Sequence, residues 1–126
     1  MKDDLPLWTP SQAFQRATPM HAFMEYCNQT FALDLKDFGS LHAWSVDKRS
    51  DFWTAVWDFC GVKGNRGERA LIHEESMLEA RFFPDATLNF AQNLLSMTGG
   101  DDALIFRGED RAADRWSWDH LNATVS

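Results

Sequence analysis

TPMHAFMEYCNQTF, residues 18–31, decides the class of the fold. Pro19 after Thr18 marks a helix start, because proline at the first helical position sacrifices no needed N–H. From there Met20, Phe23, Met24, Cys27 and Phe31 recur at helical spacing and build one apolar stripe. That stripe predicts an amphipathic helix with one face against neighbours, and the neighbours follow directly. Over residues 37–45 Phe38, Leu41 and Trp44 keep the helical period, after which Ser45 and Asp47 offer capping side chains that predict a break. From Lys48 onward Phe52, Trp53, Val56, Trp57, Phe59 and Cys60 cover much of a helix circumference, leaving Arg49, Thr54 and Asp58 for the polar side. A helix this aromatic requires two neighbours. Upstream, residues 1–9 read as a polar lead-in and Thr9-Pro10 as the capped start of a short helix.

Downstream the punctuation changes. Gly61 predicts a left-handed stop, GVKGNRGER (61–69) a turn-rich connection, and Ala70-Leu71-Ile72 a strand fragment. In RFFPDATL (81–88) Pro84 forbids continuing helix. Asn89 then predicts the cap of a helix with Ala91, Leu94 and Leu95 inward, closed by Thr98-Gly99-Gly100. Ala103-Leu104-Ile105-Phe106 reads as a buried strand, GEDRAAD (108–114) as a hairpin connection and Arg115–Trp118 as the partner strand. A helix carrying Trp118, Leu121 and Val125 opens around Ser117 or Asp119. An isolated hairpin is marginal in water, so this half predicts the first edge of a larger sheet.

With 126 residues, 44% hydrophobic and 25% charged, the chain suits one small globular domain. Twelve Lys and Arg against 19 Asp and Glu give a net charge of −7, which opposes attraction to nucleic acid or anionic membrane. No apolar run approaches a membrane span, and MKDDLPLWTP lacks the pattern of a secretory signal, so the expected location is the cytoplasm. Cys27 and Cys60 fall in apolar helical patterns and are expected as small buried hydrophobes, free in a reducing compartment. Ten Phe, six Trp and one Tyr supply more apolar surface than a small two-layer core hides, which predicts that some face another domain.

Local chemistry names no reaction. Gly61, Gly64 and Gly67 with Lys63, Arg66 and Arg69 invite a phosphate cradle. Their segment follows a helix instead of a strand and lacks Gly-Lys-Ser/Thr, so it reads as a solvated connection. His73-Glu74-Glu75 could hold a metal or move a proton, yet His21, His42, His73 and His120 show no HExxH spacing and the chain no CxxC. Ser45, Ser50 and Ser76 sit in no GxSxG elbow, and neither cysteine carries the flanks of an activated thiol. Glu74-Glu75 and Asp101-Asp102 read as solubilising surface charge. Trp44, Phe52, Trp53 and Trp57 could form a ligand platform, but aromatics at helical spacing read first as packing.

LHAWSVDKRSDFWTAVWDFCGV (41–62) followed by ARFFPDATLNFAQNLLS (80–96) resembles the N-terminal region of the acetoacetyl-CoA synthetases, relatives of the acetyl-CoA synthetases. The resemblance rests on Leu41, His42, Trp44, Ser45, Phe52, Trp53 and Trp57, then Phe83, Pro84, Leu88, Asn89, Ala91, Asn93 and Leu94, with Leu7-Trp8-Thr9-Pro10 ahead of them. Phe82 stands where that family typically has Trp, and Asp85 where Gly is usual. The resemblance implies an adenylate-forming ligase in which a carboxylate attacks the α-phosphate of ATP, Mg2+ offsets charge, and the CoA thiol then displaces AMP. It places the phosphate loop, the ribose-binding Asp and the catalytic Lys outside this chain. The chain itself then carries no catalytic, cofactor-binding or metal residue, and Leu41, Trp44, Ser45, Phe52, Trp53, Trp57, Phe83, Pro84, Leu88, Asn89, Asn93 and Leu94 are expected as scaffold. The implied fold is α+β and mainly helical. Residues 1–98 form a helical N-terminal extension, and residues 99–126 form the first hairpin and opening helix of a larger α/β adenylate-forming domain. Expected partners are the remainder of such a ligase or a second copy meeting through exposed aromatics. The alternative is a free-standing, non-catalytic interaction module.

Overall fold

The structure, a computed structural model, describes residues 8–111 and 113–125. Most of the expected lead-in with Leu7, Ala112 of the hairpin connection and the terminal Ser126 lie outside the described residues. The order is α1 Gln12–Arg16, α2 Pro19–Phe31, α3 Phe38–Asp47, α4 Arg49–Phe59, β1 Leu71–Ile72, β2 Arg81–Phe82, α5 Phe90–Leu94, β3 Asp102–Arg107, β4 Ala113–Ser117 and α6 Trp118–Val125. The fold is thus mainly helical, as the sequence implies, with two antiparallel two-stranded sheets, the expected β3-β4 and a further β1-β2. It divides into two compact units, one of the chain up to Val62 with Gly67–Asp85, the other of Lys63–Arg66 with the chain from Ala86.

The first unit is built on α2. Thr18 caps it by accepting from the His21 N–H, and Pro19 sits in the first turn, as the spacing predicts. Phe23, Met24 and Cys27 of the stripe are buried together with Leu41 and Trp44 of α3 and Ala55 of α4. Around them the rings pack closely: Phe23 meets Phe52 at 5.9 Å and Phe59 at 5.1 Å and Trp44 meets Phe52 at 5.9 Å, all edge to face, while Trp44 meets Phe31 at 5.3 Å with the rings tilted. Ala55 is fully buried because only a small side chain lets α4 approach this aromatic cluster. Burial pushes the Cys27 thiol up to about 11, so it packs as a neutral group. Asn28 ties the α2–α3 connection to α2: its amide donates to the Leu35 carbonyl and its oxygen accepts from the Leu35 N–H.

Asp37 closes a capping box on α3, accepting from the Ser40 N–H at 2.7 Å while the Ser40 hydroxyl accepts from the Asp37 N–H. The Ser40 N–H, and next its hydroxyl, hold the Asp37 carboxyl below the usual carboxylate range. A lowered folded-state value means that the contribution is present above about pH 4, where the carboxyl is ionised in both states, and is lost as pH falls through the folded value. Acid titration followed by far-UV circular dichroism is therefore expected to show a shallower loss of helix below pH 4 in Asp37→Asn than in the parent.

Several expectations are corrected. The first helix is capped by Ser11, not Thr9, because the Ser11 hydroxyl is the group that accepts from the Phe14 N–H; Pro10 lies before it. Ser45 and Asp47 lie inside α3, where the Ser45 hydroxyl donates back to the His42 carbonyl, and the break comes at Lys48 without a side-chain cap. Cys60 is exposed, since α4 ends there and Gly61 turns with φ +63°. RFFPDATL contains β2, two residues paired with β1 (Leu71 opposite Phe82, Ile72 opposite Arg81) before Pro84.

In the second unit Asn89 caps α5 by accepting from the Gln92 N–H, as predicted. Strands β3 and β4 pair in register Leu104–Trp116, Ile105–Arg115 and Phe106–Asp114, with an irregularity between Asp102 and Leu104. Trp118 opens α6 instead of closing β4. The Ser117 hydroxyl accepts from the His120 N–H, the Trp118 N–H donates to the Asp101 carbonyl, and Asn122 donates to the Met97 carbonyl, so α6 is fixed to the turn before β3. The expected buried strand Ala103–Phe106 is exposed here, with Leu104, Ile105 and Phe106 half or more accessible, and Ala91 and Leu94 are exposed instead of turned inward. α6 packs beside β3 and β4 but leaves these residues exposed.

Candidate functional site

Two places could carry chemistry or recognition: the glycine-rich segment 61–69 and the apolar surface of the second unit. The glycines are explained by packing. A Cβ on Gly64 would stand 2.7 Å from both the Leu88 Cβ and the Thr87 carbonyl oxygen; one on Gly67, whose φ is +73°, would stand 2.5 Å from the Asp85 Cβ. The glycines thus permit close approach of backbones. The N–H groups are not free for phosphate, since Asn65 donates to Thr87 and Thr87 to Asn65 in a bridge. The cation is engaged too: Arg69 donates twice to Asp85, at 2.8 and 2.5 Å, which holds that carboxyl below its ordinary range. Asn65 and Arg69 of this segment are thus engaged within the chain.

The other candidate chemistry is equally occupied or dispersed. His73 Nδ1 lies 3.9 Å from Glu75, and Glu74 lies 3.9 Å from Arg49. Among the described residues no group of three His, Cys, Asp or Glu could hold a metal ion. Trp44, Phe52, Trp53 and Trp57 pack within the first unit and form no open platform. Trp53 meets Phe82 at 5.4 Å and Trp57 meets Phe83 at 4.9 Å, which docks the β1-β2 hairpin on α4.

The residues that carry the family resemblance fall into both units. Leu41, Trp44 and Ser45 lie on α3, the first two in the core; Phe52, Trp53 and Trp57 lie on α4; Phe83 and Pro84 follow β2. In the second unit Leu88 packs on Gly64, Asn89 caps α5, and Asn93 ties α5 to Lys63. The Lys63 N–H donates to Asn93 Oδ1 at 2.7 Å, and Asn93 Nδ2 donates to the Lys63 and Asn89 carbonyls. Asn93→Ala removes these bonds from three backbone groups and is expected to destabilise the second unit by about 1–2 kcal/mol, measured by urea denaturation. Leu94 lines the second unit's apolar groove.

That groove, of about 490 Å³, runs between α5 (Phe90, Ala91, Leu94, Leu95), β3 (Ala103, Leu104) and α6 (Trp118, Leu121, Val125). Its walls are almost wholly apolar, so it suits packing and not a charged substrate. Sequence reasoning missed the groove, the exposed pair Met77-Leu78 and the buried Ala55. The first had a signal in the unbroken run Ala103–Phe106, a pattern of strands covered on both faces. Ala55 is one more alanine on a helix and had none. No helix among the described residues is long and apolar enough to cross a membrane.

Comparison with known proteins places this geometry. No protein-family model matches the chain. Acetoacetyl-coenzyme A synthetase of Rhizobium meliloti (strain 1021) is 49% identical over 126 residues, all of this chain and 19% of that protein. A malonamoyl-CoA synthetase of Penicillium aethiopicum is 35% identical over 127 residues, 94% of this chain and 17% of that protein. Among solved structures, the acetoacetyl-CoA synthetase from Streptomyces lividans superposes with a TM-score of 0.84 at 27% identity, covering 96% of this chain and 19% of that one. The chain thus spans about a fifth of the length of the relatives it matches. In sequence over its full length and in fold over nearly all of it, this chain is homologous to the N-terminal part of the acetoacetyl-CoA synthetases.

Proposed function

We propose that this chain serves as the N-terminal structural part of a ligase that converts ATP, acetoacetate and CoA to acetoacetyl-CoA, AMP and pyrophosphate, and that it is not catalytic alone. The observation that carries this reading is β3. Leu104 and Phe106 on one face and Ile105 on the other are 50–60% exposed, in a run of the kind found in strands covered on both sides.

On this reading residues 1–98 are the helical extension, and residues 99–126 begin the large adenylate-forming domain. Leu41, Trp44, Ser45, Phe52, Trp53, Trp57, Phe83, Pro84, Leu88, Asn89, Asn93 and Leu94 hold the scaffold. On the same reading ATP, Mg2+ and CoA are bound by residues outside this chain, and the remainder of the ligase is the partner. The enzyme works in the cytoplasm. The test is to incubate the purified chain with ATP, Mg2+, acetoacetate and CoA and follow AMP. The expected result is no acetoacetate-dependent AMP; turnover by the chain alone contradicts the reading.

A further inference from the structure

We draw no further inference here: the strongest candidate, the apolar groove of the second unit walled by Phe90 and Leu94 of α5, Leu104 of β3 and Trp118 and Leu121 of α6, shares with the proposed function the exposed strand on which that reading rests, and nothing in the structure shows what covers it.

Discussion

Trp44→Ala is expected to cost about 3–5 kcal/mol, the range for deleting a large buried aromatic side chain. Trp44 is 8% exposed and sits between Phe31 and Phe52. It joins α3 to both α2 and α4. Stabilities of small domains are themselves about 5–15 kcal/mol, so this one change removes a large share of what holds the first unit together. Urea denaturation followed by circular dichroism at 222 nm checks it through a lowered midpoint. Trp53→Ala, at a residue 39% exposed, is the comparison and is expected to cost less.

The second large effect is expected at Gly67. Gly67→Ala is expected to destabilise by about 2–4 kcal/mol, of which roughly 1–2 kcal/mol comes from the left-handed backbone and the rest from overlap with Asp85. The backbone of Asp85 lies 3.1–3.2 Å from the added Cβ, so the overlap is not relieved by rotating a side chain. The same substitution at Gly61, whose φ is +63° with nothing within 4 Å of the added Cβ, is expected to show only the backbone cost. Thermal unfolding of the pair separates the two contributions.

The helical half was legible because its stripe, its Thr18-Pro19 start and its aromatic faces all point to one three-helix packing. The hairpin β3-β4 and the Asn89 cap were legible for the same reason, since pattern and capping chemistry agree. The strand at Leu71-Ile72 was legible within Ala70–Ile72, but its partner was not: Arg81-Phe82 has no room for a period, and its pairing with Leu71-Ile72 depends on Trp53 and Trp57 across the chain. Ser45 and Asp47 misled because capping side chains also occur inside helices, where a hydroxyl can bond back one turn. The glycines at 64 and 67 read in one dimension as part of a solvated connection. Only the positions of Leu88 and Asp85 show that they make room for backbone. Burial in the second unit was read correctly as a pattern and wrongly as a state, because periodicity records what a strand is coded to meet. Leu104, Ile105 and Phe106 follow the pattern of a covered strand and yet stand exposed.

The measurement that tests the central claim most directly is amide hydrogen exchange over β3, β4 and α6, on the chain alone and mixed with the remainder of the Rhizobium meliloti relative. An uncovered two-stranded sheet opens easily, so fast exchange is predicted for residues 102–117 in the chain alone, with strong protection gained in the mixture. Strong protection already present in the monomeric chain, or no change on mixing, contradicts the account.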